Sequence, residues 1–123
     1  MQMGCAACHT PSFTTRPDVP DAALAGQRIY PYSDLLLHDI GEGLADHRPE
    51  GRAGGSDWRT QPLWGLGLTK IVSGHTQLLH DGRARNVVEA ILWHGGEAQP
   101  ARDRFAAMTK QDRDAVVAFL NSL

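Results

Sequence analysis

Apolar residues recur at helical spacing along the last third of the chain. Val87, Ala90, Ile91 and His94 fall at i, i+3, i+4 and i+7, which is one face of a helix. Asn86 stands where an N-cap belongs, and Gly95-Gly96 supplies a stop. The spacing predicts a helix over 86–94. A second is expected over Gln99–Ala107, with Pro100 in its first turn. A third begins at Thr109, with Asp112 as its capping-box partner and Val116, Phe119, Leu120 and Leu123 as its apolar stripe.

The pattern is weaker upstream. Residues 1–9 read as the last turn of a helix, followed by a loop punctuated by Pro11, Pro17 and Pro20. Short helices are expected over 21–29 and over Asp34–Ile40, the latter ended by Gly41 and Gly43. Residues 41–57 hold five glycines and Pro49, which predicts a long loop of the kind that is functional or wraps around something. Pro62–Gly67 reads as one helical turn and 68–85 as irregular. No strand pair, repeat or low-complexity tract is visible. The 123 residues are expected to form a single domain over 1–123.

Composition adds one expectation. Aromatic residues make up only 7% of the chain, against 13 glycines and 7 prolines, so few large side chains are available to fill a core. A buried prosthetic group would supply the missing apolar volume. The net charge of -2 argues against nucleic acid as a partner. No apolar run approaches the length of a membrane span.

The two cysteines are three positions apart, in Cys5-Ala6-Ala7-Cys8-His9. This C-x-x-C-H spacing is that of c-type haem attachment. Two thiols one helical turn apart reach the two vinyl groups of one porphyrin, and the next residue, His9, sits under the iron as proximal ligand. Three other readings compete. A zinc site needs two further ligands, and the other histidines are distant in sequence. A thioredoxin-like dithiol follows a strand and opens a helix, whereas Pro11 follows here. Two structural cysteines beside a chance histidine are the third. One covalent haem c is the leading reading. Four residues precede Cys5, so no leader is seen. Haem c is attached outside the bacterial cytosol, so the chain is expected to be periplasmic and to be a mature fragment or a truncated reading frame.

Four ordered blocks follow the motif: Tyr30-Pro31-Tyr32-Ser33-Asp34-Leu35-Leu36-Leu37-His38-Asp39-Ile40-Gly41, Trp58-Arg59-Thr60-Gln61-Pro62-Leu63-Trp64-Gly65-Leu66-Gly67, Ser73-Gly74-His75-Thr76-Gln77-Leu78-Leu79-His80-Asp81-Gly82-Arg83-Ala84, and Glu89-Ala90-Ile91-Leu92-Trp93-His94-Gly95-Gly96-Glu97-Ala98. With the haem motif they resemble the C-terminal haem domain of di-haem oxidoreductases, the relatives of di-haem cytochrome c peroxidases and MauG-like proteins. The thiol-oxidoreductase-like peroxidases are the nearest branch in pattern. The resemblance spans nearly the whole chain. It implies an all-α, cytochrome c-like haem domain with long loops. It also implies a six-coordinate haem that passes electrons, while an N-terminal haem handles peroxide. This chain has one C-x-x-C-H, so it is expected not to be a complete enzyme. Its expected partners are the N-terminal haem domain of a parent protein or a small redox protein.

For the sixth iron ligand, the resemblance points to the end of the helix after the His-Asp-Gly block, where His94 stands. The residue pattern agrees, since His94 continues an apolar face and its ring nitrogens need partners. A core histidine bonded to a backbone carbonyl is the plain alternative. Met108, in the loop before the last helix, is the second candidate ligand, its alternative being a hydrophobic staple against Arg113. His80 and His75 come next, with His80 read mainly as structural. His38 is read as a packing residue and His47 as solvated.

Arg59, Arg83 and Arg85 are candidates to pair with haem propionates, or are plain surface charges. Thr60 and the Pro62 carbonyl resemble part of a calcium site, of which the other half is missing. Trp58, Trp64 and Trp93 are read as core residues before electron conduits. The leading functional expectation is an electron-transfer haem domain bound through His9 and His94. The rivals are a peroxidase acting at an open haem face, and a haem-free zinc or structural module.

Overall fold

The computed structural model describes residues 3–123. Its C-terminal third follows the caps. Asn86 Oδ1 accepts the Glu89 N–H at 3.0 Å and Thr109 Oγ1 accepts the Asp112 N–H at 3.2 Å. Each bond satisfies an amide that a helix start leaves without an intrahelical partner. Helix α2 accordingly spans Val87–Trp93, α3 spans Gln99–Ala106 and α4 spans Lys110–Leu120. A single 3₁₀ turn, Gly96–Ala98, joins α2 to α3. A short helix, α1 over Thr69–Ser73, lies in a stretch expected to be irregular and ends at Gly74 in the left-handed region.

The N-terminal half corrects the expected all-α class. Strand β1 (Phe13–Thr14) pairs antiparallel with β2 (Arg28–Ile29), and β3 (Leu37–Asp39) pairs antiparallel with β4 (Asp57–Arg59). The fold is therefore mixed α/β, with two small two-stranded sheets. Where a helix was expected over Asp34–Ile40, local side chains intervene. Ser33 Oγ accepts the Leu35 N–H and Asp34 Oδ1 accepts the Leu36 N–H, each at 2.9 Å. Short polar side chains thus capture amides that a helix would use. Tyr32 and Leu35 also take positive φ values of 52° and 62°, which no right-handed helix contains. The chain leaves this turn extended and pairs as β3. Over 21–29 only Ala22–Leu24 is helical, and the chain then enters β2. Residues 41–57 hold a 3₁₀ turn at Glu42–Leu44 and run into β4. The haem motif opens as a 3₁₀ turn, Cys5–Ala7.

The fully enclosed hydrophobic residues are few: Leu44, Ala84 and Phe105. Many large apolar side chains stand exposed, among them Leu35, Leu36, Trp64, Ile71 and Phe119. No helix among the described residues is long and apolar enough to cross a membrane.

Hydrogen bonds, more than apolar packing, hold the motif in place. Ser33 N–H donates to Thr10 O at 3.0 Å and Asp34 N–H to Cys8 O at 2.8 Å, lacing residues 33–34 onto the motif. Ser33, itself fully buried, also donates its hydroxyl to Thr60 O at 2.7 Å. Ser33 therefore links the motif segment through its backbone N–H, and the turn before β3 and the end of β4 through its side chain. The Ser33→Ala variant is expected to lose about 1–3 kcal/mol, because it leaves the buried Thr60 carbonyl and the Leu35 amide without partners. Thermal melts of the two proteins check this, and equal midpoints would refute it.

Candidate functional site

The site begins at His9. Its Nδ1 lies 2.9 Å from the Tyr32 carbonyl oxygen. A carbonyl only accepts, so Nδ1 carries the proton, and Nε2 is left with a bare lone pair. Burial pushes the His9 pKa below its ordinary value, against the Tyr32 hydrogen bond, which works to raise it. A neutral ring with a free Nε2 is the state a metal ligand needs. Tyr32 reaches this position through its positive φ, and its ring packs edge-on against Phe119 of α4 at 5.8 Å between centroids. The last helix thus supports the residue that orients His9.

His94 sits at the C-cap of α2 and has the same arrangement. Its Nδ1 donates to the Ala90 carbonyl, one turn back, at 2.7 Å. Its Nε2 is left facing away from the helix backbone. Repulsion from His94 is a smaller cause of the lowered His9 value, after burial. The plain reading of His94, a ring bonded to a backbone carbonyl, is thus correct for Nδ1 and leaves Nε2 over. Metal-bound histidines ordinarily hold their second nitrogen in this way.

The two thiols are partly buried and free. Burial raises the pKa of both, and for Cys8 the nearby Asp34, Glu97 and Cys5 raise it further. Protonated thiols are poor nucleophiles and poor redox-active groups. The electrostatics therefore disfavour dithiol chemistry at Cys5–Cys8. At the start of the motif, Arg104 of α3 donates to Met3 O at 2.9 Å, anchoring the segment to the C-terminal half. The residues fit a covalently held haem: two thiols, an adjacent histidine with one ring nitrogen bare, and a second histidine in the same arrangement. A chain that encloses so little of its own apolar surface also suits a large flat apolar group.

His38, read from sequence as packing, occupies a more specific place. Its Nε2 lies 2.8 Å from Asp34 Oδ2 and its Nδ1 2.9 Å from Glu97 Oε2. Each carboxylate only accepts, so both ring nitrogens carry protons and the ring is an imidazolium. Glu97, then Asp34, hold the His38 pKa above its ordinary value. Burial works to raise the Asp34 carboxyl, but the Leu36 N–H and His38 outweigh it and hold it below the ordinary range. Glu97 is lowered chiefly by His38. No spacing rule joins residues 34, 38 and 97, and only the fold brings them together.

The remaining candidates are placed as follows. Met108 is partly buried, and its carbonyl accepts from Arg113 Nη1 at 2.6 Å, so Arg113 closes the end of α3 by hydrogen bonding. Arg83 donates to Asp81 and to Gly43 O and lies over the Trp93 ring at 4.7 Å. Arg85 pairs with Glu89, and Arg59 is exposed on β4. Trp58 stacks on His80 with centroids 3.6 Å apart and donates to Leu44 O. His75 and His47 are exposed. Trp64 and Trp93 are exposed as well, contrary to their reading as core. The Thr60 carbonyl is taken by Ser33. Among the described residues, the group of His, Cys, Asp or Glu close enough to share an ion is Cys8, Asp34 and His38. No such group forms at Thr60 and Pro62. A cleft of about 580 Å³ lies between Leu66, Leu78, Val87 and Val117, and its lining includes none of the haem-motif residues.

The Asp34–His38–Glu97 chain gives stability a defined pH dependence. His38 has a raised folded pKa, so its contribution is complete below the ordinary histidine range and is lost as pH rises through the folded value. The lowered carboxylates contribute above their ordinary range and lose that contribution as pH falls. His9 is shifted in the opposite direction, chiefly by burial, which a His38 variant keeps, and only the smaller repulsion from His38 is lost there. The melting-temperature margin of the native chain over His38→Gln is therefore expected to be larger at about pH 5.5 than at about pH 9. A margin that does not change with pH would contradict the doubly bonded imidazolium.

Comparison with curated proteins gave no match, and neither did comparison with solved structures. The family described as "Di-haem oxidoreductase, putative peroxidase" matches the chain along residues 1–123. The chain therefore belongs to the di-haem oxidoreductase family, a family of haem-binding, peroxidase-like proteins.

Proposed function

We propose that the chain carries one haem c, attached through Cys5 and Cys8, with His9 as proximal and His94 as distal ligand, and that it relays electrons. The observation behind this reading is the matched pair of histidines. His9 and His94 each spend Nδ1 on a backbone carbonyl and keep Nε2 bare. Two rings in this state suit a six-coordinate iron, which supplies one-electron chemistry when bound. Six-coordination by protein leaves no open position for peroxide, so relay is favoured over peroxide turnover at this haem. Burial lowers the His9 pKa and so favours the neutral ring, and Tyr32 fixes its orientation. The remaining expected parts belong to the same reading. They are a single domain forming the C-terminal part of a larger di-haem protein, an N-terminal haem domain or small redox protein as exchange partner, and a periplasmic location.

Met108 is the alternative distal ligand, and its carbonyl is already tied to Arg113. A second reading has one observation behind it: Cys8, Asp34 and His38 offer ligand atoms within 4.8 Å of one another, as zinc would require. Against it, both His38 nitrogens face carboxylates and the Cys8 thiol is held protonated. Calcium draws no support from the surroundings of Thr60.

The test is the absorption spectrum of protein matured with a periplasmic haem-attachment system. The expected result is a haem that survives denaturation, low-spin when oxidised and when reduced, and unchanged in spin state by Met108→Leu. Cys5→Ala paired with Cys8→Ala is expected to make the haem extractable. A high-spin ferric spectrum with peroxide turnover would replace relay by peroxidase activity. Zinc at one equivalent with no haem would favour the second reading.

A further inference from the structure

His38 and Glu97 lie outside the ligand set, yet they join its two halves. Asp34 is bonded to the motif through its backbone, N–H to Cys8 O at 2.8 Å. Its carboxylate holds His38, and His38 holds Glu97, three residues beyond His94. The other oxygen of Glu97 accepts the Asp39 N–H at 3.2 Å. Glu97 thus grips both the side chain at 38 and the backbone at 39. Beside this grip, the Gly95 N–H donates to Ile40 O at 3.1 Å. At Gly96, with φ at +50°, an added Cβ would meet Asp39 O at 2.3 Å, so the two backbones are in direct contact. The segment carrying His94 is therefore clamped to β3, and β3 is tied through Asp34 to the segment carrying His9.

We infer that His38 and Glu97 are positioning residues for His94, holding its Nε2 at the distance from His9 that lets one iron bind both rings. The inference rests on the ligand reading above. Its physical basis is the strength of the strut. His38 is a cation between two anions, with both hydrogen bonds charge-assisted, and such bonds are stronger and more directional than neutral ones. Asp34 and His38 are shielded, with side chains 12% and 17% exposed, so this half of the strut is little screened by solvent. Glu97 is more open at 57%, and its second bond, to Asp39 N–H, restricts it. The α2 C-cap alone fixes His94 only relative to α2. The strut fixes it relative to His9.

The experiment uses the haem-loaded chain and its variants His38→Ala, Glu97→Ala, His94→Ala and Thr69→Ala. Haem content, melting temperature, ferric spin state by electron paramagnetic resonance, and the rate of cyanide binding are measured on each. Cyanide enters only when the distal ligand is off the iron, so its rate reports how well His94 is held. Glu97→Ala and His38→Ala are expected to raise the high-spin share and to speed cyanide binding on the order of tenfold or more. Thr69→Ala removes the hydroxyl bond to the Leu66 carbonyl at the start of α1. It is expected to lower the melting temperature without changing either haem signal, which separates positioning from general loosening. Should His38→Ala fail to fold, Glu97→Ala, at an exposed position, carries the test. Unchanged spin state and cyanide rate in the folded strut variants would overturn the inference, as would an equal change in Thr69→Ala. If His94→Ala leaves the spin state as it was, the ligand reading fails and the positioning role fails with it.

Discussion

The hydrogen bond between His9 Nδ1 and the Tyr32 carbonyl decides what the rest of the site can be. It fixes the ring's tautomer and leaves the coordinating nitrogen uncovered. It also demands a backbone at Tyr32 that a helix cannot provide, and so the chain turns there with positive φ. From that turn follow the lacing of residues 33–34 onto the motif, the start of β3 and the position of His38. Tyr32 is itself braced by Phe119, so the final helix contributes to an orientation set near the beginning of the chain. A ring seated in this way keeps its orientation while the rest of the chain encloses little apolar surface.

Of the readings open to a Cys-x-x-Cys pair followed by histidine, the electrostatics weigh against dithiol chemistry. Catalytic thiols sit where positive charge or a helix N-terminus lowers their pKa. Cys8 instead faces Asp34 and Glu97, which raise it, and Arg104 only partly offsets burial at Cys5. The acidic neighbours that discourage thiolate chemistry are also the partners of His38. One arrangement of charge thus protects the thiols and organises the strut.

The parts of the fold that were legible in the sequence are those governed by local rules. Helices α2 and α4 follow their side-chain caps and α3 starts with Pro100 in its first turn, and the Cys5–His9 motif is read from spacing alone. The strands were missed because each is two or three residues long, too short to show alternation, and pairs across 14 to 22 positions. The expected helix over Asp34–Ile40 was overruled by Ser33 and Asp34, whose side chains take the Leu35 and Leu36 amides. A Ser-Asp pair just after Pro31 and Tyr32 was the available signal for a turn. The role of His38 was out of reach, because Glu97 lies 59 positions away. His94 was legible as a candidate from its helical face, but the freedom of its Nε2 depends on where Nδ1 points.

The contact between Gly95–Gly96 and the end of β3 is made by backbone atoms, and the side chain at position 94 takes no part in it. The frame presenting that side chain is thus indifferent to what the side chain is. Under the ligation proposed above, the identity of the ligand and its placement are encoded by different residues. One substitution at position 94 would then exchange the donor atom, and with it the driving force for electron flow, without disturbing the frame.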